Sequence, residues 1–418
     1  MVSPTESVIS SEAAAQIAYL RSPRAIRDRC QQLFDLACRD RLPHFRCDLS
    51  QLEATADYVL HVTRQTYPDL NVPFHSRWRH FEGGDRLAFL AEQLAPLSPV
   101  EQAQAKFDLA IISVLLDAGS GPAWHYTEPR SGQVYTRSEG LAVASFWMMA
   151  QGLFSSQPDR PWQADAIALQ HLTTEHLGSG LQVTDTNPLL GLAGRTTLLN
   201  QLGHCLTQNP QLFGAKSPRP GNLVPYLVSQ AVDGKLAAAT VLAAVLTGFG
   251  PIWPSRIQLH GVNLGDVWPH SALATADPSV FSSLVPFHKL SQWLTYSLLE
   301  PLAELGLHIT DLDALTGLPE YRNGGLCLDM GLLQVKDPAI LQVPHPPSSE
   351  VIVEWRSLTV ILLDAIAATL RQQLGQSAID LPLVKVLQGG TWAAGRQLAA
   401  QRRQGLPPLQ IDSDGTVF

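Results

Sequence analysis

Hydrophobic residues recur at three- and four-residue steps along most of the chain, which is the spacing of one face of a helix. Within residues 101–116, Ala105, Leu109 and Ile112 keep this spacing, and Gly119 follows as a helix stop. The same periodicity predicts further helices over residues 141–153, 285–305, 353–374 and 383–403. An uncharged apolar run over residues 236–253 predicts one more helix, buried in the core.

Alternating, strand-like patterns are few and short. Residues 124–136 carry aromatic and β-branched residues on either side of Pro129, Ser131 and Gly132, which predicts a small hairpin. Residues 333–335 and 352–353 are candidates for edge strands. Strands and helices do not alternate regularly, so a doubly wound sheet is disfavoured. We predict a mainly α fold class, a large multi-helix globular fold with a minor β-hairpin or short edge strands.

Composition indicates a globular protein with a large interior, since 45% of the 418 residues are hydrophobic and 16% are charged. The formal net charge of −8 disfavours a nucleic-acid polymer as partner. No membrane is expected, because Gly248, Gly250 and Pro251 interrupt the uncharged run. The N-terminus shows no secretory pattern, and the five Cys include no CxxC pair. We expect a cytoplasmic protein with no cofactor and no metal; the sequence does not indicate its oligomeric state.

The predicted helical segments follow one another without a long polar linker. We expect residues 1–21 to be a loose N-terminal arm, residues 22–405 a single helical catalytic unit and residues 406–418 a C-terminal tail. A boundary inside the helical unit near residues 97–101 stays open as a second option.

The segment from Gly248 to His270 concentrates chemistry-bearing side chains in what reads as a loop. It contains Trp253, Arg256, Asp266, Trp268 and His270. Ordinary connections are short and carry small polar residues, so this composition favours the wall of a small-molecule pocket. A packed loop anchored by its two Trp is the alternative.

Two further punctuated segments carry candidate side chains. Trp124 and His125 open the predicted hairpin, and Arg137, Ser138 and Glu139 open the helix that follows it. In one interpretation Ser138 is the helix cap and Glu139 interacts with the helix dipole. In the other, Arg137 also binds a phosphate or carboxylate beside that positive helix end.

Glu320 is the sharpest candidate for a catalytic acid. It follows Pro319, precedes Tyr321 and Arg322, and is soon followed by a Gly pair that lets a ligand approach the backbone. A carboxylate at such a turn could orient water or stabilise an oxocarbenium-like centre. The alternative is a pair of charged turn residues, Glu320 and Arg322, without a role in chemistry.

Several ordered segments resemble a family of unknown-function proteins tied to uracil catabolism in fungi and bacteria. They are VPFHSRWRHF, LLDAGSG, RSEGLAVAS, RPGNLV, GPIWPSR, GDVWPH, VPFHKLSQWLTYSL, TGLPEYRNGGL and EWRSLTV, and they extend over about residues 22–403. Members are often described as uracil phosphoribosyltransferases. The resemblance implies a pathway that converts uracil to its ribonucleotide, opens the ring and releases urea through a ribosylurea-type intermediate.

A more distant likeness concerns the segment ALTGLPEYRNG, which is similar to the LTMFADYRVPQ stretch of queuosine-salvage N-ribosyl hydrolases. Glu320 then takes the place of their Asp, Tyr321 and Arg322 match directly, and the following VPQ is absent. This likeness implies a helical enzyme that hydrolyses an N-glycosidic bond in a small ribosylated substrate. The chain also lacks a GxxxxGK[ST] loop and the adjacent acids of a phosphoribosyltransferase.

The implied mechanism assigns a role to each candidate. The carboxylate that activates water or supports the ribosyl cation is Glu320 first and Asp266 second, and the acid that protonates the leaving nitrogen is His125 or His270. The substrate-binding residues are Arg137, Arg256 and Arg322 for a 5′-phosphate, Trp124, Trp253 or Trp268 for the planar leaving group, and Glu139 and Tyr321 beside them.

Three other functions remain open at this stage. A metal-dependent amidohydrolase acting on a ring-opened uracil derivative would use some of the numerous histidines, among them His75, His80 and His260, as zinc ligands. A uracil phosphoribosyltransferase would consume uracil in a pyrophosphate-dependent reaction. A non-catalytic pathway partner would need neither Glu320 nor a closed pocket.

Overall fold

The computed structural model describes residues 10–117, 119–253, 257–274 and 280–412. Its helices confirm the prediction of a mainly α fold. In chain order they are α1 Ser11–Leu20, α2 Pro23–Cys38, α3 Leu52–Thr66, α4 Arg86–Leu94, α5 Pro99–Leu115, α6 Arg137–Ala150, α7 Ala166–Gln170, α8 Thr174–Gly180, α9 Leu192–Gln208, α10 Pro210–Phe213, α11 Leu223–Gln230, α12 Ala238–Phe249, α13 Val280–Ser283, α14 Lys289–Glu304, α15 Tyr321–Asp329, α16 Glu350–Leu374, α17 Leu383–Val386 and α18 Trp392–Arg403.

The strands are short and pair two by two. They are β1 Phe45–Cys47, β2 His125–Thr127, β3 Val134–Thr136, β4 Lys235–Ala237, β5 Gln258–Leu259, β6 Val262–Asn263, β7 Val267–Pro269, β8 Leu284–Pro286, β9 His308–Thr310 and β10 Leu333–Val335. Antiparallel pairs are β1–β10, β2–β3, β5–β6 and β7–β8, and β4–β9 is parallel. The β2–β3 pair confirms the predicted hairpin, and β10 confirms the edge strand at residues 333–335.

Three local predictions differ from the structure. Residues 352–353 lie inside α16, because Ser349 caps this helix by accepting the backbone N–H of Ile352. The helix predicted over residues 285–305 begins only at Lys289, since residues 284–286 pair with β7. The 383–403 helix is interrupted by a π-helical turn, Leu387–Thr391.

One large cluster of buried hydrophobic residues runs from Ile26 to Leu409. It includes Leu94 before the candidate boundary at residues 97–101 and Ala103 after it, so the described chain packs as one core across that point. The helices α5, α6, α14 and α16 are buried over most of their length. The packing of these four buried helices holds the polar side chains at their ends in place.

Residues 11–20 correct the prediction of a loose N-terminal arm. Ser10 caps α1 by accepting the backbone N–H of Ala13, and the helix buries Ile17 and Leu20 in a second hydrophobic cluster. That cluster includes Leu259 and Val267, so α1 covers the β5–β8 region. Amphipathic packing therefore orders this part of the N-terminal segment.

None of the helices within the described ranges is long and apolar enough to span a membrane. The run predicted as a buried helix forms α12, in which Val241, Leu242 and Val245 are buried.

Candidate functional site

A cluster of polar side chains lies where the N-termini of α6, α14 and α15 approach the C-terminal end of α5. We call it the central polar cluster and define it by Arg77, Asp117, Ser138, Lys289, Glu320 and Tyr321. Arg77 and Ser138 contact Asp117 directly. The charge of Asp117 also acts on the pKa of Lys289 and of Tyr321, as does that of Glu320. Segments far apart in sequence thus converge on one site.

Arg77 anchors this cluster from inside the core. Its guanidinium is completely buried and donates to Ser113 Oγ at 2.6 Å, to Asp117 Oδ2 at 3.0 Å and to Ser138 Oγ at 3.2 Å. It also lies over the Trp293 ring, 5.4 Å from the centroid. Five donors in a fixed fork suit this bridging role. The 3-10 turn Arg77–His80 is thereby tied to α5, α6 and α14.

Only one oxygen of the Asp117 carboxylate accepts hydrogen bonds from the described residues. Its Oδ2 accepts from Arg77 Nη1 at 3.0 Å and from Ser138 Oγ at 2.7 Å. For Oδ1 no hydrogen bond is found to the described residues, and the side chain is 11% exposed. Asp117 is therefore a fixed carboxylate with one oxygen open to a ligand.

Glu320 is the N-cap of α15. Its Oε2 accepts the backbone N–H of Arg322 at 2.7 Å, and its Oε1 accepts that of Asn323 at 2.6 Å. The side chain is buried, so the two bonds fix its orientation. Each carboxylate oxygen has two lone pairs, and one on each oxygen is left for water or substrate. The turn predicted around Glu320 is thus the start of a helix, and the carboxylate faces the backbone N–H groups of its first turn.

Lys289 is the first residue of α14 and carries a cation beside these carboxylates. No hydrogen bond or ion pair of its ammonium group is found among the described residues, and the residue is half-buried. Its backbone N–H donates to Asp266 Oδ2 at 3.1 Å, so the carboxylate of Asp266, in the bend before β7, caps α14. His288 before it adopts a left-handed φ of +48°, which turns the chain sharply from β8 into the helix.

Burial and neighbouring charges shift the titration of both groups. Burial raises the pKa of Glu320, although two backbone N–H groups and the Lys289 ammonium oppose this shift. Burial lowers the pKa of Lys289, and the charges of Glu320 and Asp117 oppose that shift. The two pKa values therefore lie closer together than those of an ordinary Glu and Lys, as acid–base chemistry near neutral pH requires.

The start of α6 departs from the predicted capping. The N-cap is Thr136, and Ser138 instead donates to Asp117. Arg137 is exposed, adopts a left-handed φ of +55°, and has no hydrogen bond or ion pair to the described residues. Glu139 pairs with Arg396 of α18 at 3.1 Å. Arg137 is therefore the cation at this helix end that is open to an anion.

Tyr321 and Arg322 line the other side of Glu320. The Arg322 guanidinium lies 4.9 Å from the Tyr321 ring centroid and donates to the Gly405 carbonyl at 3.0 Å. Its Nε is buried and has no hydrogen-bond partner in the described part of the chain. The glycine that follows serves packing, because a Cβ on Gly324 would lie 2.7 Å from the Trp355 indole.

Asp266 and Trp268 occupy structural positions rather than the predicted ones. Asp266 accepts two hydrogen bonds from Arg356, at 2.8 and 2.7 Å, and one from Trp268 Nε1 at 2.7 Å, besides that from Lys289. Although burial opposes ionisation, the Arg356 guanidinium holds the pKa of Asp266 well below its usual range. A carboxylate so paired is a poor base, and Asp266 positions α14 instead.

Trp253 lines a small cavity together with Asp266, Arg21 and His288. About 20 Å³ of this cavity is accessible to water, which is room for a single water molecule and not for a planar leaving group. Arg256, predicted beside Trp253, lies outside the described residues. The Gly248–His270 segment is also less loop-like than predicted, since it contains β5, β6 and β7.

Three other predicted side chains lie away from the central polar cluster. Trp124 is buried in the core, with its Nε1 donating to the Leu181 carbonyl at 3.0 Å. His125 is exposed on β2. His270 is buried, accepts the Ala272 backbone N–H, and interacts with Glu350. The structure brings together Glu320, Tyr321 and Arg322, and the charge of Arg137 acts on Tyr321. His125 pairs with Thr136 in the hairpin, Trp124 packs near Gly140 of α6, and His270 interacts with Glu350.

Sequence reasoning missed Lys289, Arg77 and Asp117 as site residues, although each lies in a segment that carried the family resemblance. A single Lys inside the apolar run VPFHKLSQWL was the available signal. Among the described residues, no three His, Cys, Asp or Glu side chains are grouped closely enough to hold a metal ion.

Comparison with known proteins covers almost the whole chain. It is 40% identical over 413 residues to Protein urg3 of Schizosaccharomyces pombe, covering 96% of this chain and 99% of that protein. It is 37% identical to Uracil catabolism protein 4 of Lachancea kluyveri, again covering 96% and 99%. The family model "Protein of unknown function (DUF1688)" matches residues 19–418. The chain therefore belongs to the DUF1688 family, as its ordered motifs predicted.

Proposed function

We propose that this protein acts in uracil catabolism as an N-ribosyl hydrolase that cleaves a ribosylurea-type or related ribosylated intermediate. The observation that carries the proposal is the buried Glu320 carboxylate, fixed by two backbone N–H groups and interacting with the Lys289 ammonium, for which the described residues offer no hydrogen bond or ion pair. The place in the pathway rests on the name of a relative, Uracil catabolism protein 4, to which the chain is 37% identical. The chemistry rests on the cluster itself.

Hydrolysis of an N-glycosidic bond needs a group that activates water and one that protonates the leaving nitrogen. Glu320 accepts a proton from the water whose oxygen attacks C1′, and its negative charge stabilises the ribosyl cation that forms as the C1′–N bond breaks. The Lys289 ammonium supplies a proton to the departing nitrogen. Asp117 holds Lys289 in its charged form and takes the place predicted for Asp266 as the second carboxylate.

The same site suits a substrate that carries a phosphate. Arg137 stands at the N-terminus of the 14-residue helix α6 with its guanidinium open to a ligand. Positive helix ends and unpaired cations attract anions, so Arg137 is the residue for a ribose 5′-phosphate. Arg322 donates its Nη1 to Gly405 and so serves first to hold the end of α18 against α15.

A direct assay tests the proposal. The purified protein is incubated with ribosylurea, ribosylurea 5′-phosphate, uridine and uridine monophosphate, and free ribose, urea and uracil are followed. We expect one of these N-ribosides to be hydrolysed, and Glu320→Gln to lower kcat roughly 100-fold or more, because Gln cannot accept the proton. If the phosphorylated substrate is preferred, Arg137→Gln should raise its KM and leave that of the unphosphorylated one unchanged.

Glu354→Gln is the matched control. Glu354 is also a buried carboxylate that accepts a backbone N–H, that of His44 at 3.1 Å, and it lies outside the central polar cluster. It should keep wild-type kcat. Absence of turnover with every N-riboside, or equal kcat for Glu320→Gln and Glu354→Gln, would contradict the proposal. Pyrophosphate-dependent consumption of uracil would instead favour a phosphoribosyltransferase.

A further inference from the structure

Beside the central polar cluster lies a second group of side chains that the proposed chemistry does not use. It consists of His75 and His80 next to the 3-10 turn, Trp293 of α14, and Thr391 and Trp392 at the junction of the π-helical turn with α18. We call it the imidazole–indole compartment. The His80 and Trp293 rings are 6.1 Å apart, and so are the His75 and Trp392 rings.

Two polar atoms of this compartment are buried and have no partner among the described residues, namely Trp293 Nε1 and Thr391 Oγ1. The neighbouring His80 ring, in contrast, interacts with the Arg77 backbone. An unsatisfied buried donor or acceptor is costly, and two of them beside one pair of aromatic rings favour an occupant that supplies the missing bonds. The π-helical turn that ends at Thr391 is a local irregularity of the kind often found at functional sites.

The hydrogen-bond roles of these atoms can be assigned in part. His75 Nδ1 lies 2.9 Å from Gln388 Oε1, while Gln388 Nε2 donates to Tyr67, so His75 Nδ1 carries the proton. Its Nε2 is then an acceptor in the neutral ring. Trp293 Nε1 is a donor, and the Thr391 hydroxyl can be either. The compartment therefore presents both donors and acceptors at aromatic surfaces.

The charge of the side chains in the compartment limits the class of ligand that it can bind. Burial lowers the pKa of His75 to about 4, and burial with the nearby Arg77 guanidinium lowers that of His80 well below its ordinary value. Both rings are therefore neutral at physiological pH and offer no positive charge to an anion. The cations for which no ion pair is found among the described residues are Lys289, whose charge acts on His75, and Arg137. The two neighbouring groups thus suit the two ends of a ligand that is anionic at one end and neutral at the other.

The imidazole–indole compartment shares helix α14 with Lys289, the proposed proton donor. Trp293 follows Lys289 by four residues and so lies on the same face of α14, and the Arg77 guanidinium contacts its ring. Building on the proposed function, we infer that the imidazole–indole compartment binds the planar, uncharged ureido part of the substrate, a urea- or uracil-like group. Its N–H groups donate to His75 Nε2, its carbonyl accepts from Trp293 Nε1, and Trp392 provides an aromatic wall.

Binding measurements test this inference without turnover. The full-length wild type, Trp293→Phe and Thr391→Val are titrated with uracil, with methylurea and with inorganic phosphate. Thr391→Val keeps the shape of the side chain and loses the hydroxyl group, and Trp293→Phe keeps an aromatic ring and loses the indole N–H. We expect each to bind uracil and methylurea about three- to tenfold more weakly, as the loss of one hydrogen bond predicts, with phosphate binding unchanged.

Trp147→Phe is the control. Trp147 is equally buried, but its Nε1 already donates to Glu128 Oε1 at 2.8 Å. This variant should have a lower Tm and unchanged binding of uracil, whereas Trp293→Phe should lose less Tm, because it removes the same ring atoms but no hydrogen bond to a described protein group.

Equal affinities of wild type, Trp293→Phe and Thr391→Val for uracil and methylurea would overturn the inference, and so would a wild type that binds neither. Unchanged binding in Trp293→Phe, together with a Tm loss larger than that of Trp147→Phe, would also overturn the inference and would mean that a buried water occupies the compartment. A protein that binds uracil through these residues yet hydrolyses no N-riboside would refute the proposed function alone.

Discussion

Arg77 and Asp117 form an ion pair, 3.0 Å between Nη1 and Oδ2, in which the guanidinium is completely buried. Removing one partner of such a pair leaves the other charge without compensation in the core. We expect Arg77→Met to lower the free energy of unfolding by about 3–5 kcal/mol. Denaturant titration followed by far-UV circular dichroism measures this loss.

The control for this prediction is an exposed pair. Arg24 and Asp28 lie 3.4 Å apart with 83% and 41% of their side chains exposed. Arg24→Gln should leave the denaturation midpoint close to that of the wild type, because exposed pairs stabilise little. Equal midpoints for Arg77→Met and Arg24→Gln would show that the Arg77–Asp117 pair does not anchor the cluster.

Activity should depend on pH through Glu320 and Lys289. The reaction needs the carboxylate ionised and the ammonium protonated, so the rate rises through the Glu320 pKa and falls through the Lys289 pKa. Burial raises the first above 4.5 and lowers the second below 10.5. A profile of kcat/KM against pH, which reports the pKa values of the free enzyme, should therefore be bell-shaped, with an acid limb above pH 4.5 and an alkaline limb below pH 10.5.

Lys289→Arg provides the internal check on this profile. A guanidinium keeps its proton at high pH, so the alkaline limb should disappear while the acid limb stays. An alkaline limb that is identical in Lys289→Arg and wild type would assign it to a group other than Lys289.

The sequence predicted the helices well where burial is decided locally. Residues 101–116 and 353–374 were recognised because α5 and α16 bury most of their apolar positions, which repeat at helical steps. Prediction failed where a distant segment decides the local structure. Residues 284–286 are apolar enough for a helix but pair with β7, and α1 forms because Ile17 and Leu20 find a partner in β5–β8.

Residues of the candidate site could likewise be predicted where local sequence is enough, and could not where a distant segment decides. Short motifs with turn residues next to them predict Glu320, Arg137 and Arg322 as candidate site residues. Lys289 and Asp117 were not predicted, because they join the site only when α14 and α5 pack near Glu320. No local sequence pattern indicates this packing. Asp266 was misjudged for a related reason, since its partner Arg356 lies 90 residues further along the chain. The sequence alone does not indicate whether a charged residue forms an ion pair in the folded protein.

Close packing of α18 on α15 should hold the Glu320 cap in place. A Cβ added to Gly395 would overlap with the backbone carbonyl of Arg322, which belongs to the first turn of α15. We expect Gly395→Ala to lower the free energy of unfolding by about 1–3 kcal/mol, as overpacking does, and to lower kcat by moving the turn that fixes Glu320. Gly194→Ala is the control, because nothing lies within 4 Å of its added Cβ and the residue is inside α9. There the substitution should stabilise by about 0.5–1 kcal/mol with kcat unchanged. Thermal unfolding and initial rates of both variants decide the matter: a Gly395→Ala protein as stable and as active as Gly194→Ala would mean that the contact between α18 and α15 does not position the acid.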